Sequence, residues 1–184
     1  MPILGVIDSA KSNNLTAPAY DSISSFTGGS TTISFTSIPQ TYKHLELRVM
    51  GRASTAGTGA IDGWMTFNSV TSNYNWHEVA GYNNTTTNAG AGINTTQINF
   101  MRNCLPRNSE TGYGVAICTI NDYTSANYKS IYARTGYGNN SGGLVSLTSG
   151  SSTLTSGITR IDLTVEGGAN WSSDSTFELF GIKG

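Results

Sequence analysis

YKHLELRVMG, residues 42–51, alternates apolar and polar side chains at every step. Leu45, Leu47 and Val49 point one way, while His44, Glu46, Arg48 and Met50 point the other. That period of two is the signature of a half-buried β-strand, because successive side chains of a strand leave opposite faces. Wound into a helix, the same apolar residues would be spread around the cylinder. The segment is a strand, and its neighbours read in the same way.

Upstream, YDSISSF (20–26) is followed by a Thr-Gly-Gly-Ser turn at 27–30, and Ile33 and Phe35 then alternate with Thr and Ser. The pair reads as a hairpin that ends near Pro39, which cannot donate to a ladder. Downstream, IDGWMTF (61–67) puts Ile61, Gly63, Met65 and Phe67 on one face and Asp62, Trp64 and Thr66 on the other. Residues 68–94 are rich in Asn, Thr and Gly and read as a long decorated loop with a short strand around 74–79. The stretch 83–96 carries no strand signal. Further strands are expected at 97–101, 114–120, 129–134, 144–147, 158–165 and 176–182. In the last of these, either Phe177, Leu179 and Gly181 or Glu178, Phe180 and Ile182 face the core.

Roughly nine to eleven short strands, polar connections and no helical period predict an all-β fold, an antiparallel β-sandwich of jelly-roll type. The 184 residues suit one such domain, taken as 18–184, behind an N-terminal arm at 1–17. The apolar residues Ile3, Leu4 and Val6 of that arm are the expected assembly anchor, suited to strand addition on a neighbour.

Charged residues make up 11% of the chain and net charge is −1, with the basic residues scattered singly. Neither a nucleic-acid groove nor attraction to an anionic membrane follows from such a distribution, so neither partner is expected. The chain also has no apolar run of about 18 residues. Cys104 and Cys118 read as small core residues in a reduced state, with a disulfide as the alternative.

Signals for chemistry are weak. His44 and His77 have no partners at ligand spacing, so no metal and no cofactor is expected. The eleven acids offer many formal pairs and no distinguished one. GxSxG, P-loop and calcium-loop patterns are absent. What stands out is aromatic: Trp64, Tyr74, Trp76, Tyr82, Tyr113, Tyr123, Tyr128, Tyr137 and Trp171 lie among Asn, Asp and Gly. Rings stack on the apolar faces of sugars while amides bond the hydroxyls, and the same residues anchor protein interfaces. Tyr74, Trp76, His77, Tyr82 and Trp64 are the ligand-binding candidates, and rings that plug the sandwich ends or subunit contacts are the competing structural reading.

Two segments, YDSISSFTGGSTTISFTSIPQTYKHLELRV (20–49) and GITRIDLTVEGGANWSSDSTFELFGIKG (157–184), resemble a recurrent type of bacteriophage protein. The closing FELFGIKG (177–184) is the most distinctive element, and the centre matches weakly. The resemblance implies a virion location, as a tail-fibre or tail-tip component or a capsid decoration, often trimeric, and it supplies no catalytic residues. The expected role is therefore a non-enzymatic virion accessory protein, homo-oligomeric and bound to other virion proteins. Host-surface glycan contact leads, with capsid decoration and a sandwich-fold carbohydrate-active enzyme as alternatives.

Overall fold

The computed structural model describes residues 19–83, 86–139 and 142–184. The expected anchor residues Ile3, Leu4 and Val6, like the arm 1–17, lie outside the described residues. Twelve strands follow one another: β1 (Tyr20–Thr27), β2 (Thr32–Phe35), β3 (His44–Gly51), β4 (Ala60–Phe67), β5 (Tyr74–Tyr82), β6 (Thr86–Thr95), β7 (Ile98–Pro106), β8 (Gly114–Asn121), β9 (Lys129–Asn139), β10 (Gly142–Ser152), β11 (Ile161–Val165) and β12 (Thr176–Ile182). No α-helix occurs among the described residues.

Pairing defines a jelly roll. β1 pairs with β12, β2 with β11, β3 with β8 and β4 with β7, all antiparallel, so the first four strands are matched in reverse by later ones. Successive pairs alternate between two sheets, giving β1-β12-β3-β8 in one and β2-β11-β4-β7 in the other. This is the rolled double Greek key. Two hairpins are inserted into it, β5–β6 between β4 and β7 and β9–β10 between β8 and β11. Both add to the free side of β8 and extend that sheet to eight strands, β1-β12-β3-β8-β9-β10-β5-β6.

The period-two readings hold. Leu45, Leu47 and Val49 of β3 are buried, as are Ile61, Met65 and Phe67 of β4 and Ile161, Leu163 and Val165 of β11. β12 turns Phe177 and Leu179 inward and leaves Glu178 exposed. Each such side chain contributes about 1.5–3 kcal/mol by leaving water. Cys104 and Cys118 are free and buried in the same core. Where β8 passes β7 the backbones nearly touch: a Cβ on Gly114 would lie 1.8 Å from the Cys104 carbonyl oxygen.

Three expectations need correction. Residues 86–95, read as loop, form β6, because they pair along β5 with Gly90 opposite Glu78 and Gly92 opposite Trp76. Small residues there make room for side chains from below: a Cβ on Gly92 would sit 2.3 Å from the Trp76 indole nitrogen. Trp171, read as a surface ring, is fully buried. It packs edge-on against Phe177 at 4.8 Å and donates its indole N–H to the Leu163 carbonyl at 3.2 Å. Tyr123 is fully buried as well, with its hydroxyl donated to the Pro39 carbonyl.

Candidate functional site

Alternation along β5 separates the residues the sequence grouped together. Tyr74 is a core residue whose hydroxyl accepts from the Phe67 amide at 2.8 Å and donates to the Val70 carbonyl at 3.0 Å. Burial pushes its phenol upward from the usual range. Trp76 is half-buried on the same inner face, beneath the Arg102 guanidinium at 5.8 Å. His77 points the other way, into a shallow groove on the outer face with Asn75, Ser149, Ser151 and Ile93. Tyr82 returns to the inner face and accepts from the Asn103 amide at 3.1 Å. Trp64 lies on the outer face of the four-stranded sheet, in register between Thr164 and Asn99. These five side chains do not form one site.

The guanidinium over Trp76 belongs to an ion pair. Arg102 Nη1 meets Glu78 Oε2 at 2.8 Å, and the Glu78 side chain is fully buried. Glu78 Oε1 and the hydroxyl of Thr148, its register partner on β10, have no hydrogen-bond partner among the described residues. The pair sits on the inner face of the sheet extension, across which β7 packs from the four-stranded sheet.

That mismatch in sheet width leaves an open end. Tyr137 of β9, Leu144 of β10 and Tyr82 of β5 lie side by side there on the inner face. Beside Tyr137 opens a cleft of about 610 Å3, walled by Thr58 and Gly59 before β4, Ser109, Glu110 and Thr111 before β8, and Asn83, Asn139 and Gly143 from the hairpin ends. Glu110 braces the walls. Its Oε1 accepts the Gly59 amide at 2.5 Å and its Oε2 accepts the Asn139 side-chain amide at 2.5 Å. Its carbonyl accepts Arg52 Nη1 at 2.9 Å. Asn83 closes the opposite side, accepting the Gly143 amide on Oδ1 at 2.8 Å and donating its own amide to the Gly143 carbonyl at 2.9 Å.

The charge around the cleft is arranged with equal economy. Arg52 is drawn behind the wall by Asp174 at 3.3 Å and by the Tyr113 ring at 5.1 Å. Hydrogen bonds from Ser172 and Tyr113 hold the Asp174 carboxyl below its usual range. Within the cleft, burial pushes the Tyr137 phenol upward. Tyr137 figured among the aromatic candidates only as one ring of nine. Glu110 was one acid of eleven, and no local motif marks it. The signal that points to both is positional: Tyr137 precedes a Gly- and Asn-rich hairpin at 138–143, and Glu110 sits in a turn between two strands.

Among the described residues no group of three or more His, Cys, Asp or Glu side chains converges as metal ligands. No protein-family model matches the chain, and no curated protein matches it.

Proposed function

We propose that this chain is a non-enzymatic accessory protein of a bacteriophage virion, a tail-fibre or tail-tip module that contacts glycan on the host surface. The cleft beside Tyr137 carries the reading. It is built of hydroxyl, amide and backbone groups around one aromatic ring, the combination that grips a sugar. The resemblance of residues 20–49 and 157–184 to phage virion proteins supports the location. Binding is favoured over hydrolysis because Glu110 is the single carboxylate among the described lining residues and both its oxygens already accept protein donors. A glycosidase would need a pair of carboxylates about 5–9.5 Å apart across the scissile bond.

A second reading, capsid decoration, is favoured by one observation. The outer face of the extended sheet exposes Val115 and Ile117 of β8 on one side of Gly136 and Arg134 of β9, and Val145 and Leu147 of β10 with Val79 of β5 on the other. Exposed apolar side chains grouped in this way suit packing against other virion proteins. Immunogold labelling of intact particles separates the two: label at the distal tail is expected. Regular label over the head would replace adhesion by decoration, and label absent from washed particles would overturn the virion assignment.

A further inference from the structure

We propose that the cleft takes a neutral, hydroxyl-rich sugar chain and discriminates against acidic ones, an inference that rests on the glycan reading above. Glu110 is the only formally charged side chain among the lining residues. Its two hydrogen bonds fix it without neutralising it, because both donors, the Gly59 amide and the Asn139 side chain, are uncharged. Of the nearby cations, Arg52 is held behind the wall by Asp174 and the Glu110 carbonyl, and Arg107 lies alongside Gly57; neither is among the lining residues. An incoming carboxylate, sulfate or phosphate would therefore meet a negative charge inside the cleft with no cation among the described lining residues to receive it.

The hydroxyls of Thr58, Thr111 and Tyr137 line the cleft and have no protein partner among the described residues. Each can donate or accept as required, which matches sugar hydroxyls that do the same. Recognition of an acidic group would instead call for donors in excess, such as Arg or clustered amides.

The test uses the full chain against surfaces bearing maltoheptaose, cellohexaose or chitohexaose as neutral probes and hexagalacturonate or alginate hexamer as acidic ones. Salt is varied between about 50 and 500 mM. Retention on at least one neutral probe is expected, insensitive to salt, with acidic probes about tenfold weaker or worse. Tyr137→Ala and Thr111→Val should each abolish or sharply weaken retention, and Tyr128→Ala, on the exposed β8–β9 loop, should leave it unchanged. Tyr137→Phe, which keeps the ring, guards against a fold effect and should retain part of the binding. Preferential retention of an acidic probe through Tyr137 would overturn the neutral assignment and leave glycan binding standing. Neutral retention indifferent to Tyr137 and Thr111 would remove the cleft as the site. Retention of no probe would overturn both this inference and the glycan reading.

Discussion

Substituting Glu110 by Gln removes a charge while changing almost no volume, and the geometry sets the cost. Both carboxylate oxygens accept from donors, Gly59 N–H and Asn139 Nδ2–H, each at 2.5 Å. An amide keeps one acceptor for the Gly59 N–H and presents a donor to Asn139, which must then break its present bond and turn its own carbonyl oxygen inward, and the Gly59 bond loses its charge assistance. A hydrogen bond to a charged group is worth about 1.5–3 kcal/mol, and this site is part-buried, so the lower half of that range is expected. For a chain of this size about 1.5–2 kcal/mol lowers Tm by roughly 3–8 °C. The loss is local to the walls, so the Gly59 amide should exchange with solvent much faster while β3 and β12 amides keep their protection. Thermal unfolding and hydrogen exchange by mass spectrometry read the two effects. A Tm within 1 °C of wild type together with unchanged Gly59 protection would refute the brace.

Arg102→Ala strips the partner from the buried Glu78 carboxylate and should cost about 3–5 kcal/mol, seen as a large drop in the denaturation midpoint; adding Glu78→Gln should recover part of it. Cys104 is pushed up to about 12 by burial and Cys118 is raised further by the same cause. Neither forms appreciable thiolate at pH 8, so a thiol reagent should label no cysteine in the native protein and both after denaturation. Gly114→Ala drives a Cβ against the Cys104 carbonyl, a backbone atom that cannot swing aside, and should leave the protein insoluble or many degrees less stable.

The sequence made the scaffold readable wherever one face of a strand is wet. β3, β4, β11 and β12 carry strict alternation; β3, β4 and β11 bury the face their pattern indicated, and β12, whose pattern left both faces open, buries Phe177 and Leu179. β6 was opaque because TTNAGAGINT holds a single large apolar residue, Ile93, and its inner positions are the glycines beneath Arg102 and Trp76. Its pairing is imposed by β5, a tertiary effect that propensity cannot foresee. Trp171 misled for a related reason. Its Gly- and Asn-rich context has the composition of a surface turn, but the turn folds back so that the backbone at Trp171 bridges Ala53 and donates to the Ser30 carbonyl.

The candidate site was legible only as chemistry. Aromatics among amides pointed to sugar contact, yet the local run Tyr74–Trp76–His77 is distributed over two faces of one strand. Grouping residues close in sequence fails in a strand because neighbours diverge. The cleft instead gathers residues from four separate connections, and what gathers them is the pair of hairpins added to the jelly roll. β5–β6 and β9–β10 widen one sheet beyond its partner, and the overhang supplies both the cleft at one end and the apolar outer face behind it.

Contact between this cleft and the host surface, as proposed, is tested most directly by binding of the fluorescently labelled chain to intact host cells. Wild-type protein should decorate the cells and compete with phage adsorption, and Tyr137→Ala protein of unchanged Tm should do neither. Equal decoration and competition by both proteins, or by neither, would contradict the account.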